Sequence, residues 1–145
     1  MANTTYQFST ITAAQAQTVG ATDTIIFSAG PASAATVVYV PATALTTDQI
    51  VITYGGISVS FAVGVAATAN AGNLIFPDSS QLFIGTFSSD PLVAVVNDTF
   101  TWTGSSDAMF GGTGDDTLNA GNGNNTLQGN QGNDALSAGT GNDTA

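Results

Sequence analysis

The stretch GGTGDDTLNAGNGNNTLQGNQGNDALSAGTGNDTA, residues 111–145, decides how this chain folds. It consists of glycine, asparagine, aspartate and small polar residues, with one large apolar side chain every nine positions as far as Leu136. Low hydrophobicity and like charge ordinarily leave a segment disordered. A fixed period argues the other way, because stacked units can each add one inward side chain to a shared column. Aligned by nine, the chain reads VAVVNDTFT (93–101), WTGSSDAMF (102–110), GGTGDDTLN (111–119), AGNGNNTLQ (120–128), GNQGNDALS (129–137) and AGTGNDTA (138–145). Position six holds Asp98, Asp107, Asp116, Asn125, Asp134 and Asp143, and position eight holds Phe100, Met109, Leu118, Leu127, Leu136 and Ala145. Position four is Gly114, Gly123, Gly132 and Gly141 in the last four units.

Composition states what such a stack needs. The 145 residues include no Lys, Arg, His or Cys, and the ten acidic residues are all Asp, for a net charge of −10. No side chain can neutralise a column of carboxylates, so a cation must come from outside the chain. Carboxylate and carbonyl oxygens are the hard ligands that Ca²⁺ takes, whereas Mg²⁺ demands tighter octahedral geometry and keeps its waters. The same charge opposes binding to nucleic acid or to an anionic membrane. With no His or Lys base, no Cys nucleophile, and neither an HExxH nor a GxSxG motif, catalysis is not expected. The absence of Cys excludes a disulfide framework. No apolar run approaches the ~18 residues of a membrane-spanning helix, and the opening MANTTYQFST lacks the basic start and apolar core of a signal peptide.

Composition shifts near residue 97. Four of the ten Asp lie in residues 1–97 and six in 98–145. The first part is rich in Thr, Val, Ile and Phe, and its alternation predicts strands at 5–11, 23–29, 35–41, 48–54, 57–65, 73–77, 80–87 and 91–96. Gly55-Gly56 between two of them is a two-residue hairpin signal. Ile50, Ile52 and Tyr54 form one face, and Ile57, Val59, Phe61 and Val63 another, which predicts a sheet with one buried side. Residues 12–19 read as a short helix or a loop. Trp102, the eight Phe and the three Tyr are expected to fill the core. The fold expected is all-β: a β-sandwich or β-solenoid-like domain over residues 1–97, continuing into a repeat domain over 98–145.

GGTGDDTLN (111–119) resembles the G-G-x-G-x-D-x-U-x nonapeptide of RTX-type calcium-binding repeats, and the resemblance extends over residues 98–145. It implies a parallel β-roll in which six residues of each unit turn and three form a strand. Two units complete a coil, so equivalent turns recur every eighteen residues. Position six then divides into Asp98, Asp116 and Asp134 on one edge and Asp107, Asn125 and Asp143 on the other. The resemblance implies Ca²⁺ between stacked turns, held by these side chains and by backbone carbonyls near Gly112, Gly114, Gly121, Gly123, Gly132 and Gly141. Phe100, Met109, Leu118, Leu127 and Leu136 would point inward. The departures are specific. Only 111–119 carries the full Gly-Gly start, and Asn125 replaces an Asp, which lowers the charge of its column. Units 93–101 and 102–110 lack the position-four glycine and read as the graft onto the upstream sheet. Asp115, at position five, reads as an outward carboxylate.

These features lead to an exported bacterial structural protein, extracellular or at the cell surface, leaving by the type I route without an N-terminal signal peptide. It would bind Ca²⁺ and assemble head-to-tail with itself into a filament or a surface or matrix layer. The pattern stops mid-unit at GNDTA, which leaves three readings open: a fragment, a removed C-terminal signal, or a cap supplied by the next subunit. The alternative is a secreted adhesion or ligand-binding module from a larger RTX-type protein.

Overall fold

The computed structural model describes residues 3–87 and 96–145. Within them the chain is nearly all β and winds as a solenoid of about 7 turns. The strands are β1 (Thr5–Gln7), β2 (Thr24–Ile26), β3 (Thr36–Val40), β4 (Gln49–Tyr54), β5 (Ile57–Ala62), β6 (Leu74–Ile75), β7 (Leu82–Ile84), β8 (Thr99–Thr101), β9 (Ala108–Thr113), β10 (Thr117–Asn119), β11 (Thr126–Gln131) and β12 (Ala135–Ser137). Three sheets are parallel, in the orders β1-β2-β6, β7-β9-β11 and β8-β10-β12. The fourth, β3-β4-β5, is an antiparallel meander.

The nine-residue period sets the register of the last two parallel sheets. Leu118 pairs with Phe100 on one side and Leu136 on the other, while Met109 pairs with Leu127. Each partner is one coil, or 18 residues, away, so two nonapeptides do complete a turn of the solenoid. Leu118, Met109 and Leu127 are buried, and with Ala120 they form a narrow core flanked by Phe83, Phe100 and Ala138. Leu118, Met109 and Leu127 each contribute about 1.5–3 kcal/mol by leaving water. Leu136, on the outermost strand, is still 39% exposed.

A second and larger core lies upstream. Phe8, Ile25, Phe27, Ile50, Ile52, Phe61, Leu74, Phe76, Leu82 and Ile84 are all buried in it. Phe27 stacks on Phe8 at 4.6 Å and on Phe76 at 4.2 Å between ring centroids. Ala108 and Phe110 of the repeat belong to this core too, so β9 is where the body and the roll join. The meander buries one face, as its alternation predicts: Ile50, Ile52, Val59 and Phe61 point inward. Ile57 beside the turn and Val63 beyond the strand end remain exposed. Gly55 and Gly56 have φ of +57° and +80°, the two left-handed residues of a type I′ hairpin.

Several expectations change. The strand at 5–11 ends at Gln7, whose carbonyl accepts the N–H groups of Thr10 and Ile11 as the chain turns. The helix considered at 12–19 shrinks to α1 (Ala13–Ala16), nucleated by a capping box in which Thr12 and Gln15 each bond the other's backbone N–H. The strand at 57–65 stops at Ala62, and the Ala-rich run after Gly64 forms α2 (Val65–Asn70), burying Val65, Thr68 and Ala69. Trp102 is 40% exposed rather than buried, lying 5.8 Å from Phe83 between centroids. The strand expected at 91–96 falls largely outside the described residues, and Val96 is not in a strand.

Candidate metal centre

In each of the last four units the turn is built on left-handed backbone at two places. Position two is left-handed at Gly112, Gly121, Asn130 and Gly139, and position four at Ser105, Gly114, Gly123, Gly132 and Gly141. Asn is among the residues that tolerate this region, so Asn130 can stand where other units use glycine. Position four has a second requirement. A Cβ on Gly132 would collide with the Gly114 carbonyl oxygen, and one on Gly141 with that of Gly123. Each turn therefore lies with its backbone against the carbonyls of the turn one coil earlier.

Position six ties the coils together. Asp116 Oδ1 accepts the Asp98 N–H at 2.7 Å, and Asp134 Oδ1 accepts the Asp116 N–H at 2.9 Å. On the other edge Asn125 Oδ1 accepts from Asp107 N–H and Asp143 Oδ1 from Asn125 N–H, both at 2.9 Å. The ladders thus bring together Asp98, Asp116 and Asp134 in one column and Asp107, Asn125 and Asp143 in the other. Both continue upstream: Asp107 Oδ1 accepts from Gln81 N–H and Asp98 Oδ2 from Thr86 N–H, each at 2.7 Å.

One oxygen of each carboxylate is committed to the ladder, and the fate of the second is the decisive feature. Asp107 is 0% and Asp116 1% exposed, and the Oδ2 of each is buried with no hydrogen-bond partner. Burial, partly offset by the Gln81 N–H, pushes the Asp107 carboxyl up to about 6, with the Asp78 charge adding to the rise. Asp116 is raised as well, first by burial and then by the charges of Asp98, Asp134 and Asp115, against the lowering effect of the Asp98 N–H. An unpaired buried carboxylate is costly, and the sequence holds no Lys, Arg or His to relieve it.

The surroundings suit a hard cation. A Cβ on Gly111 would collide with Asp116 Oδ2 and come within 2.8 Å of the Gly129 carbonyl oxygen. Likewise, a Cβ on Gly129 would strike Asp134 Oδ2, and one on Gly85 would strike the Gly111 carbonyl oxygen and approach Asp98 Oδ2. Carboxylate and carbonyl oxygens therefore converge at Gly85 and Gly111, where a side chain is missing. Among the described residues no three carboxylate, imidazole or thiol side chains cluster, so backbone carbonyls would supply many of the six to eight oxygens Ca²⁺ takes. Gly114, Gly123 and Gly132 lie in this stack. The Gly121 carbonyl also accepts the Thr140 N–H at 3.0 Å, and Gly112 packs against the carbonyl of Thr86.

Position five makes a ladder that the sequence reading missed. Asn97 Oδ1 accepts from Asp115 N–H, Asp115 Oδ1 from Asn133 N–H, Ser106 Oγ from Asn124 N–H, and Asn124 Oδ1 from Asn142 N–H. Asp115 is exposed, as expected, yet it joins two coils. The available signal was a short acceptor side chain at position five of every unit. Two further rungs lie outside the repeat. Asp78-Ser79-Ser80-Gln81 repeats the turn Gly104-Ser105-Ser106-Asp107, with Ser79 and Ser105 both left-handed and Phe83 paired to Met109. Asp23, before β2, accepts the Thr4 N–H before β1 at 2.9 Å, as Asp116 does for Asp98. Bonds from Thr4 and Gly20 N–H hold the Asp23 carboxyl below its ordinary value.

No curated protein and no solved structure matches the chain. Residues 110–145 match the family model of the RTX calcium-binding nonapeptide repeat, in four copies, and the C-terminal part of this chain is accordingly a stack of RTX repeats, which bind Ca²⁺ and are typical of secreted bacterial proteins.

Proposed function

We propose that the chain is an exported, non-enzymatic structural protein in which a β-rich body, residues 1–97, carries a calcium-dependent roll, residues 98–145. The observation that carries this reading is the pair of buried, unpartnered carboxylate oxygens on Asp107 and Asp116 in a chain without a single basic side chain. Asp98, Asp107, Asp116, Asp134 and Asp143, with carbonyls near Gly112, Gly114, Gly121, Gly132 and Gly141, are the ligands proposed for Ca²⁺. When bound, the ion supplies positive charge between coils. The chain's own part is to hold the carboxylates in register through the ladder. Calcium then acts as a folding switch: the roll stays open where the ion is scarce and closes at the millimolar levels outside cells. An affinity near the 10⁻⁴–10⁻³ M of extracellular modules would suffice.

The finer part of the reading is self-assembly. Among the described residues β12 has no strand on its outer side, and Leu136 is 39% exposed there. At the other end of the solenoid β1 is also an edge. Exposed edges of parallel strands invite another chain, and a head-to-tail contact that does not close gives a filament. Electron microscopy of the purified chain in 5 mM Ca²⁺ and in excess chelator tests this. Regular filaments or layers in calcium support it, and single particles in both conditions overturn it.

The adhesion reading has one observation of its own, the exposed Trp102 ring beside Phe83, since exposed aromatic faces suit sugar rings. A monomer that binds glycans and loses binding on Trp102→Ala would establish this second reading.

A further inference from the structure

The rungs of the roll do not treat their position-six side chains alike. Asp116 and Asn125 stand nine residues apart in equivalent places, each 1% exposed and each giving one oxygen to the ladder. Their remaining atoms differ. Asp116 Oδ2 has no partner and converges with the Gly129 carbonyl oxygen at Gly111. Asn125 Nδ2 donates to the Ala138 carbonyl at 3.1 Å and, more weakly, to that of Gly123 at 3.4 Å. Ala138 is the position-one equivalent of Gly129, and Gly123 is the position-four equivalent of Gly114. The position-one carbonyl that confronts an oxygen at Asp116 therefore meets an N–H at Asn125, and the second amide hydrogen turns to the Gly123 carbonyl.

We propose that the Asn125 amide is an internal substitute for the cation. It satisfies the carbonyls of Gly123 and Ala138, so this rung takes no calcium, while the rungs at Asp107 and Asp116 require it. The inference rests on the calcium reading above and refines it: the ion is demanded at chosen coils rather than at every one. It also gives Asn125 a role different from that of a weakened ligand. An ion would be displaced from this rung by the amide itself, and the coil can close here before any calcium arrives.

The test counts calcium bound to the full chain by equilibrium dialysis and follows thermal unfolding in calcium and in chelator. Asn125→Asp should bind about one more ion per chain than the wild type, because it restores an oxygen ligand of the kind Ca²⁺ takes. It should also melt lower than the wild type in chelator and recover in calcium. Asn125→Ala should melt lower in chelator without gaining an ion. Asp116→Asn should do the reverse of Asn125→Asp, losing about one ion and melting higher than the wild type in chelator. An unchanged ion count in Asn125→Asp, or an Asp116→Asn chain less stable than the wild type in chelator, overturns the proposal. Should Asn125→Asp fail to fold without calcium, its ion count in calcium and the Asp116→Asn arm still decide. A wild type that binds no calcium defeats the calcium reading and this inference with it, and that failure is visible before any variant is made.

Discussion

The body and the roll are both stacks of β-coils, but different forces hold them. In the body, Phe, Ile and Leu side chains from several sheets fill a continuous core. In the roll only Met109, Leu118, Ala120 and Leu127 are buried in a core of its own, and hydrogen-bond ladders along two edges carry the register. An apolar core needs nothing from solution. A column of buried carboxylates needs a cation or a proton, so on the proposed reading the roll's stability should depend on its environment as the body's should not.

The largest test of this contrast is removal of calcium. Chelation should lower hydrogen-exchange protection across β10 and β12 more than across β11, whose Asn125 rung needs no ion, while Ile25, Ile50, Ile52 and Phe61 keep theirs. β9 should side with the body, because Ala108 and Phe110 are buried in its core. Simultaneous loss of protection in both regions would break the comparison. Next in size, Phe61→Ala should destabilise the body by about 3–5 kcal/mol through a core cavity, read by denaturant unfolding, and by the same amount with or without calcium.

The pH dependence sharpens the comparison from the other side. Asp107 is raised in the folded chain to about 6 from 3.8, so the fold binds its proton more tightly than the unfolded chain does. In chelator, stability should therefore rise as pH falls from above 6 toward 4 and level off below the unfolded value. The gain is roughly 2–3 kcal/mol for the two-unit shift. With calcium present, acidification should instead weaken ion binding, since proton and ion compete for the same oxygen. A roll whose stability in chelator is flat over this range would mean that Asp107 is already satisfied. The smallest effect is at Asp115. Asp115→Ala removes the acceptor of the Asn133 N–H and should cost about 0.5–1.5 kcal/mol by thermal unfolding in calcium. Asp115→Asn keeps an acceptor, removes a charge that raises Asp116, and should cost less.

The period of nine made the roll readable in the sequence. It marked Phe100, Met109, Leu118, Leu127 and Leu136 as inward residues, which the structure divides between two sheets, and the RTX resemblance it carries implied the two columns of position-six residues. What it could not reveal were features that occur once. The turn at Asp78–Gln81 obeys the same backbone rules as the repeat, but Gly85 and Asp98 lie 13 residues apart where Gly111 and Asp116 lie 5 apart, and the eight extra residues break the frame. The Asp23 rung has no neighbour of its own kind to announce it. Asn130 and Ser105 hid two left-handed positions because the glycine pattern lapses there, although the backbone does not. In the body, α2 escaped because VAATAN follows an alternating strand without a polar break, and its tertiary packing against the core decided its form. Trp102 was assigned by its type alone; it is 40% exposed although the later position-one residues Gly111, Ala120 and Gly129 are buried.

The direction of the ladder has a consequence for length. Each coil supplies the acceptors that complete the coil before it: Asp116 completes Asp98, and Asp134 completes Asp116. The N–H groups of Asp134 and Asp143 thus present to a following coil what Asp98 and Asp107 present to theirs. A chain built this way is a tape graduated in steps of 18 residues. Whole graduations can be inserted or deleted with both edges preserved, whereas a half-step would carry Asn125 into the column of Asp116 and Asp134 and move the self-sufficient rung to the other edge.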